Sequence, residues 1–232
     1  MGSLLAEPTI TLPELEARIV ECRRCPRLVA WRERVARERR AAFATETYWG
    51  RPIPGFGDPA ARVYVLGLAP AAHGGNRTGR IFTGDRSGDF LFAALHATGF
   101  ANQPTSISRD DGLRLNSMWI GAAVRCAPPQ NRPTPQERDS CRPWAEHELA
   151  LLPEVRVILC LGQLAWDAAL LLRGGGVPRP RPRFAHGALF DDGVGVPLLA
   201  TFHPSQQNTF TGRLTPAMLE GVLLRARELA GV

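Results

Sequence analysis

Four compact apolar runs alternate along the chain with segments whose apolar residues recur at helical spacing. The runs are Arg62–Leu68 (RVYVLGL), Met118–Val124 (MWIGAAV), Val155–Gly162 (VRVILCLG) and the stretch VPLLATFH that ends at His203. Each is short and continuously apolar rather than alternating, which predicts strands buried on both faces of a parallel sheet. After the first run a helix is expected, with Asp85 or Ser87 as its cap and Phe90, Leu91, Ala94 and Leu95 on its core face. Thr134 and Glu137 have the spacing of a capping box and open a helix through Trp144, Leu149 and Leu152. Leu164–Leu172 continues as a helix, and Pro216 opens a last one to about Ala230. Ahead of all this, residues 12–40 read as one charged helical segment, with Leu12, Leu15, Ile19 and Val20 followed by Leu28, Trp31 and Val35 beyond Pro26. Residues 47–61 form a Gly- and Pro-rich lead-in, and residues 173–186 carry no clear element. The alternation predicts an α/β fold, a three-layer sandwich with a short, mainly parallel four-stranded sheet. The polar motifs follow strand C-termini, where open α/β sheets place their ligands.

The 232 residues, 44% of them hydrophobic, are enough for one sizeable core, so a single domain over 1–232 is expected, with 1–50 as an N-terminal helical segment. No stretch is long and apolar enough to predict a membrane span. The opening residues lack a basic cluster before an apolar run, which speaks against a secretory leader and for the cytoplasm. Lys and Arg outnumber Asp and Glu by 28 to 22, a formal charge of +6. The basic side is all Arg, whose planar fork suits phosphate. Basicity alone does not identify a nucleic-acid partner.

Five cysteines are present: Cys22, Cys25, Cys126, Cys141 and Cys160. An odd count in a chain of this length does not suggest a disulfide scaffold. Cys22 and Cys25 form a C-x2-C pair, Cys126 follows the second strand, and Cys141 lies beyond the Pro-rich loop. Four thiolates can complete either a zinc site or an iron–sulfur cluster, and spacing does not choose between them. Cys160 lies inside the apolar strand VILCLG and reads as an inert buried thiol.

Two loops carry candidate chemistry. In the first, Gly67, Ala69, Pro70, Ala71 and Ala72 let backbone approach a ligand, and Gly74 and Gly75 add conformational freedom. It has neither a G-K-[ST] element nor a G-x-G-x-x-G pattern, so neither nucleotide loop is implied. His73, Asn76 and Arg77 can reach a sugar or phosphate, and Phe82 beside Asp85 can stack a flat ring and place a carboxylate near it. On the residues alone Asp85 reads first as a helix cap, and Phe82 can also be a core aromatic that anchors the loop. In the second loop, His203 at a strand end can donate a hydrogen bond to an oxygen gaining charge. Ser205, Gln206, Gln207 and Asn208 can reach phosphates. Phe210, Arg213 or Leu214 can enter a groove or fill the space left by a flipped base.

Three linked motifs, GLAPAAHGGNRTGRIFTGD at 67–85, AAVRCAPPQNRPTP at 122–135 and HPSQQNTFTGRLT at 203–215, resemble those of the fifth, iron–sulfur-containing family of the uracil-DNA glycosylase superfamily. The lead-in PIPGFGD at 52–58 is similar as well, and the resemblance covers roughly residues 20 to 229. It implies a uracil-DNA glycosylase-like fold and a 4Fe-4S cluster on Cys22, Cys25, Cys126 and Cys141 that ties in the N-terminal segment. The related fourth family carries Glu-Ala-Pro where this chain has Leu68, Ala69 and Pro70. It also carries an Asn four positions before the third cluster cysteine, where this chain has Ala122. Both departures point to the fifth family.

By the same resemblance, Phe82 stacks on the extruded base, Asp85 supports water or the sugar cation, Asn131 contacts base or water, and His203 lies near the uracil O2. The substrate-binding set it implies is Gly67, Ala69, His73, Phe82, Asn131, His203, Ser205 and Asn208, with Asp85, Asn131 and His203 as the catalytic group. The implied activity is monofunctional hydrolysis of the N-glycosidic bond of uracil and other deaminated bases in DNA, as the first step of base excision repair. The protein is expected to be a monomer bound to DNA in the nucleoid. The motifs contain no lysine to serve as a lyase nucleophile. Two other readings remain: a uracil-specific enzyme like the fourth family, and a noncatalytic metal-containing nucleic-acid binding module.

Overall fold

Continuous apolar strands need cover on both faces, and the computed structural model, which describes residues 10–232, supplies it with helices on each side. Residues 1–9, part of the stretch read for a leader, lie outside the described residues. In chain order the elements are α1 (Leu12–Val20), α2 (Pro26–Glu38), β1 (Phe56–Gly57), β2 (Val63–Gly67), α3 (Gly75–Thr78), α4 (Arg86–Ala97) and β3 (Met118–Ala122). Then come α5 (Pro135–Ala150), β4 (Val157–Leu161), α6 (Gln163–Leu172), β5 (Leu189–Phe190), β6 (Leu198–Thr201), α7 (Gln206–Phe210) and α8 (Pro216–Ala230). The sheet order is β1-β3-β2-β4-β6-β5. The four expected strands form its parallel centre, in register through Val63 with Met118 and Val157, and Ile158 with Leu198. The sheet is larger than the four strands expected, because β1 and β5, two residues each, add antiparallel edges to β3 and β6.

Alternation along β2 divides the core. Val63 and Val65 face a cluster with Leu91, Phe92 and Leu95 of α4 and Leu219 and Leu223 of α8. Tyr64 and Leu66 face Trp166, Ala169 and Leu170 of α6. A third, smaller cluster joins Leu15, Ile19 and Leu28 to Val124 and Trp144 around Cys126 and Cys141. The capping box forms as expected, with Thr134 N–H donating to Glu137 Oε2 at 2.8 Å and Glu137 N–H to Thr134 Oγ1 at 3.2 Å. Glu137 also receives a two-pronged ion pair from Arg27, at 2.8 and 2.7 Å, which fastens α2 to the start of α5.

The continuous helical segment expected over 12–40 is instead two helices. The chain leaves helical geometry between Glu21 and Cys25, and Pro26 starts α2 at its first turn, where a missing N–H costs nothing. The break places both C-x2-C thiols on the short link between α1 and α2. Among the described residues, no helix is long and apolar enough to cross a membrane.

Candidate active site

The chain passes from β2 to β3 on one side and then back across to β4 on the other. The crevice outside the C-terminal ends of β2 and β4 is therefore a switch point, where loops diverge and leave room for a ligand. A pocket of about 480 Å³ opens there. Its walls are Leu68, Ala69 and Ala71 after β2, Phe82, Asp85 and Ser87 ahead of and at the start of α4, Asn131, the Leu161–Leu164 turn after β4, and His203, Ser205 and Gln207 after β6. Asp85, Asn131 and His203, on three separate loops, thus share one cavity.

Phe82 and His203 form one wall, with ring centroids 6.0 Å apart and planes inclined by 39°. Phe82 lies over Gly67, where a Cβ would come within 2.9 Å of its ring. Gly67 accordingly supports the aromatic from below and is not among the residues lining the pocket. His203 is backed by Gly162, whose φ of +93° suits glycine and whose missing Cβ leaves room for the histidine Cβ. Desolvation lowers the His203 pKa to about 4, so the imidazole is neutral near pH 7.

Asp85 caps α4, Oδ1 accepting the Gly88 N–H at 3.0 Å. Burial raises its pKa above the ordinary carboxylate value, and the Gly88 and Ser87 N–H groups only partly counter that. The cap role and a place in the pocket coexist, because only one oxygen is engaged by the helix. The other lies 2.2 Å from where a Gly74 Cβ would stand. Gly74 is therefore needed for space beside that carboxylate. Gly74→Ala should displace the Asp85 carboxylate and lower activity by at least tenfold, with a loss of stability no larger than the about 1 kcal/mol of a disturbed helix cap, a split that kinetics and a thermal melt check directly.

Several expected contacts fall elsewhere. His73 is outside the pocket, its Nδ1 3.0 Å from the Tyr48 hydroxyl. Asn76 is fully buried and donates to the Arg32 carbonyl at 3.2 Å. Arg77 braces the loop through the His73 and Gly84 carbonyls, each at 2.8 Å, and pairs with Glu46. Asn208 does not line the pocket, and its amide holds the His203 carbonyl at 2.8 Å. Leu214 is 0% exposed in the core and cannot enter DNA, whereas Phe210 is 68% exposed on α7. Asn131 lines the pocket, and it and the preceding Gln130 are both left-handed, at φ 56° and 54°. Of the two positions that separate the fourth family, Leu68 lines the pocket and Ala122 lies buried at the end of β3. The turn Gly162–Leu164 was not anticipated, and its only sequence signal is a glycine directly after an apolar strand.

Beyond the end of β3, Cys22, Cys25, Cys126 and Cys141 line one small cavity together with Arg125 and Trp144. Arg32 Nη1 donates to Cys126 Sγ at 2.9 Å and the Arg125 N–H to Cys141 Sγ at 3.2 Å. Among the described residues, no three His, Cys, Asp or Glu side chains close around a single-ion position. The indole N–H of Trp144 has no partner in the protein. Arg125 also meets Glu148 at 2.7 Å, and Glu148 in turn accepts from Tyr64 and the Gly55 N–H, each at 2.8 Å. This buried network ties the lead-in loop to the cysteine cavity. Cys160 is apart, within β4 and fully buried.

Comparison with known proteins agrees with this geometry. The sequence model of the Uracil DNA glycosylase superfamily matches residues 54–227. A Type-5 uracil-DNA glycosylase of Mycobacterium bovis is 56% identical over 220 residues, 94% of this chain and 82% of its own length. One of Thermus thermophilus is 54% identical over 214 residues, 92% of this chain and 96% of its own. A Type-4 uracil-DNA glycosylase of Pyrobaculum aerophilum is 28% identical over 162 residues, 68% of this chain and 74% of its own. The chain belongs to the uracil-DNA glycosylase superfamily, and within it to the type-5 family.

Proposed function

We propose that this protein is a monofunctional DNA glycosylase that hydrolyses the N-glycosidic bond of uracil and other deaminated bases, leaving an abasic site for base excision repair in the cytoplasm. The observation that carries the reading is the convergence of Phe82, Asp85, Asn131 and His203 on one pocket at the switch point. A base within a duplex must be extruded to reach such a pocket. Phe82 then stacks on it, with Ala69 and Asn131 near its polar edge. As the bond breaks, negative charge grows on the base and neutral His203 donates an N–H to it. Asp85 orients water or faces the sugar cation with the oxygen that the helix leaves free. The absence of a fourth-family acid at Leu68 supports a broad base choice. The sequence contains no lysine at all, which leaves no lysine nucleophile for strand cleavage. One chain supplies every residue of the pocket, so the monomer suffices.

The cysteine cavity fits a 4Fe-4S cluster held by Cys22, Cys25, Cys126 and Cys141, with N–H donors already aimed at two of the sulfurs. When bound it would link α1–α2 to the β3–α5 region and would take no part in bond cleavage. A duplex carrying one uracil, hypoxanthine or xanthine, assayed for alkali-labile sites, tests the activity. Abasic product from at least two of the three is expected. Uracil alone would restore the fourth-family reading, and no product with bound DNA would leave a binding module.

Two further outcomes follow from the site. Asp85 must be ionised to act, so activity falls as pH drops through its folded pKa, which burial has raised. The acid limb of the pH–rate profile therefore lies above pH 3.8, the ordinary value, and Asp85→Asn removes it. Exposed Phe210 is the residue placed to fill the stack behind a flipped base. Phe210→Ala should slow excision from duplex DNA about tenfold, the equivalent of about 1.4 kcal/mol of unstacking, and leave single-stranded substrate nearly unchanged.

A further inference from the structure

Phe82 faces the pocket with a left-handed backbone, φ +53°, where a bulky side chain is disfavoured. Its ring and carbonyl pack against Gly67 and Gly88, but the next residue is what fixes the segment. Thr83 is 0% exposed, and its hydroxyl shares a 2.6 Å hydrogen bond with Ser106 Oγ. Above both lies Arg80, 5% exposed and donating from every nitrogen. Nε donates to Thr83 Oγ1 at 3.1 Å, Nη1 to the Arg109 carbonyl at 3.3 Å, and Nη2 to Ser106 Oγ at 2.7 Å and Asp111 Oδ2 at 2.6 Å.

Asp111 is in turn fixed by the N–H groups of Ile107, Ser108 and Leu113 at 2.7, 3.3 and 3.1 Å. Partial burial opposes its ionisation, but Arg80 and those donors outweigh burial and hold the carboxyl down to about 2. Neither Arg80 nor Asp111 lines the base pocket. A buried pair is a poor source of bulk stability, because an apolar pair of similar volume often serves as well. What this one supplies is a single geometry for residues 83–84, whose neighbours on each side, Phe82 and Asp85, are both pocket residues.

We propose that the buried Arg80–Asp111 pair is a positioning device that anchors residues 83–84 to the 106–111 loop and thereby holds Phe82 and Asp85 toward the extruded base. The inference rests on the glycosylase reading above.

Single-turnover excision by Arg80→Met, Phe82→Ala and the double variant tests it. Arg80→Met should lower the rate about 10- to 100-fold at saturating enzyme, as expected for catalytic groups displaced by about 1 Å, with duplex affinity within about twofold. If Arg80 acts through Phe82, adding Phe82→Ala should cost less than about threefold more, and Arg80→Lys should recover part of the loss. Amide exchange at Thr83–Asp85 should quicken in Arg80→Met. Effects that multiply fully both with Phe82→Ala and, in the same cycle, with Asp85→Asn, or a wild-type rate in Arg80→Met, overturn the proposal. If Arg80→Met does not fold, Asp111→Asn, which keeps an acceptor and loses the charge, carries the same cycle. Should the wild type excise no base, the glycosylase reading fails, and exchange decides the anchoring, unchanged exchange overturning it.

Discussion

His203→Ala should lower single-turnover excision of uracil by about 10²–10³-fold, with the fold and duplex binding retained. The magnitude is that of one donor removed from a site where negative charge develops, about 2.7–4 kcal/mol. Desolvation depresses the imidazole pKa to about 4, so the ring is neutral through the physiological range and donates from a neutral N–H. A neutral donor keeps its proton as the base departs, which suits a leaving group that needs its charge stabilised. The pH–rate profile should accordingly show no step near 6.5, the ordinary histidine value. His203→Gln, which keeps an N–H at similar reach, should recover part of the lost rate. A rate for His203→Ala equal to wild type would remove the residue from the chemistry, and a step near 6.5 that vanishes in the variant would replace the neutral donor with an imidazolium. Asn208 gives a graded control, because its amide holds the His203 carbonyl from outside the pocket.

The central sheet was legible because strands buried on both faces must be continuously apolar, as VYVLG and VILCL are. The edges were not, since a two-residue strand has no periodicity to read and depends on a partner distant in sequence. Phe90 packs partly buried against the core as expected, but Phe92 was missed, although it falls fully within the buried face centred on Leu91 and Leu95. In the site, Phe82, Asp85, Asn131 and His203 lie in motifs dense enough to single out, and the fold brings them together. Asn76 and Arg77 lie in the same motif yet look inward. A motif marks residues that the loop needs, both for chemistry and for its own shape, and sequence cannot separate the two. Glu148, Asp111 and Ser106 were invisible for the opposite reason. Their partners, Arg125, Arg80 and Thr83, are remote in sequence and nothing local marks them.

Cys141→Ser should abolish visible absorbance and bound iron and lower Tm by roughly 10 °C or more, because metal binding to a site assembled by folding contributes folding free energy. The physical case lies in how little else holds α1 and α2. Besides the buried Arg32, which meets Cys126 and Asn76, they are held by the small cluster of Leu15, Ile19, Leu28, Val124 and Trp144 and by the partly solvent-exposed Arg27–Glu137 pair. A cluster on Cys22, Cys25, Cys126 and Cys141 would cross-link the α1–α2 turn, the end of β3 and the middle of α5. Its loss should free α1–α2 first, seen as faster amide exchange there than in β2 or β4. Cys160→Ser removes a sulfur from the same chain without touching that cavity. It should leave iron and absorbance unchanged and cost about 1–3 kcal/mol of stability, since a hydroxyl enters a strand with only the Ile158 carbonyl, 3.8 Å from the present sulfur, near it. Full iron in Cys141→Ser, or its loss in Cys160→Ser, would show that the ligand set is wrong. Loss of iron with an unchanged Tm would instead show that the small apolar cluster and the ion pair hold the N-terminal helices on their own.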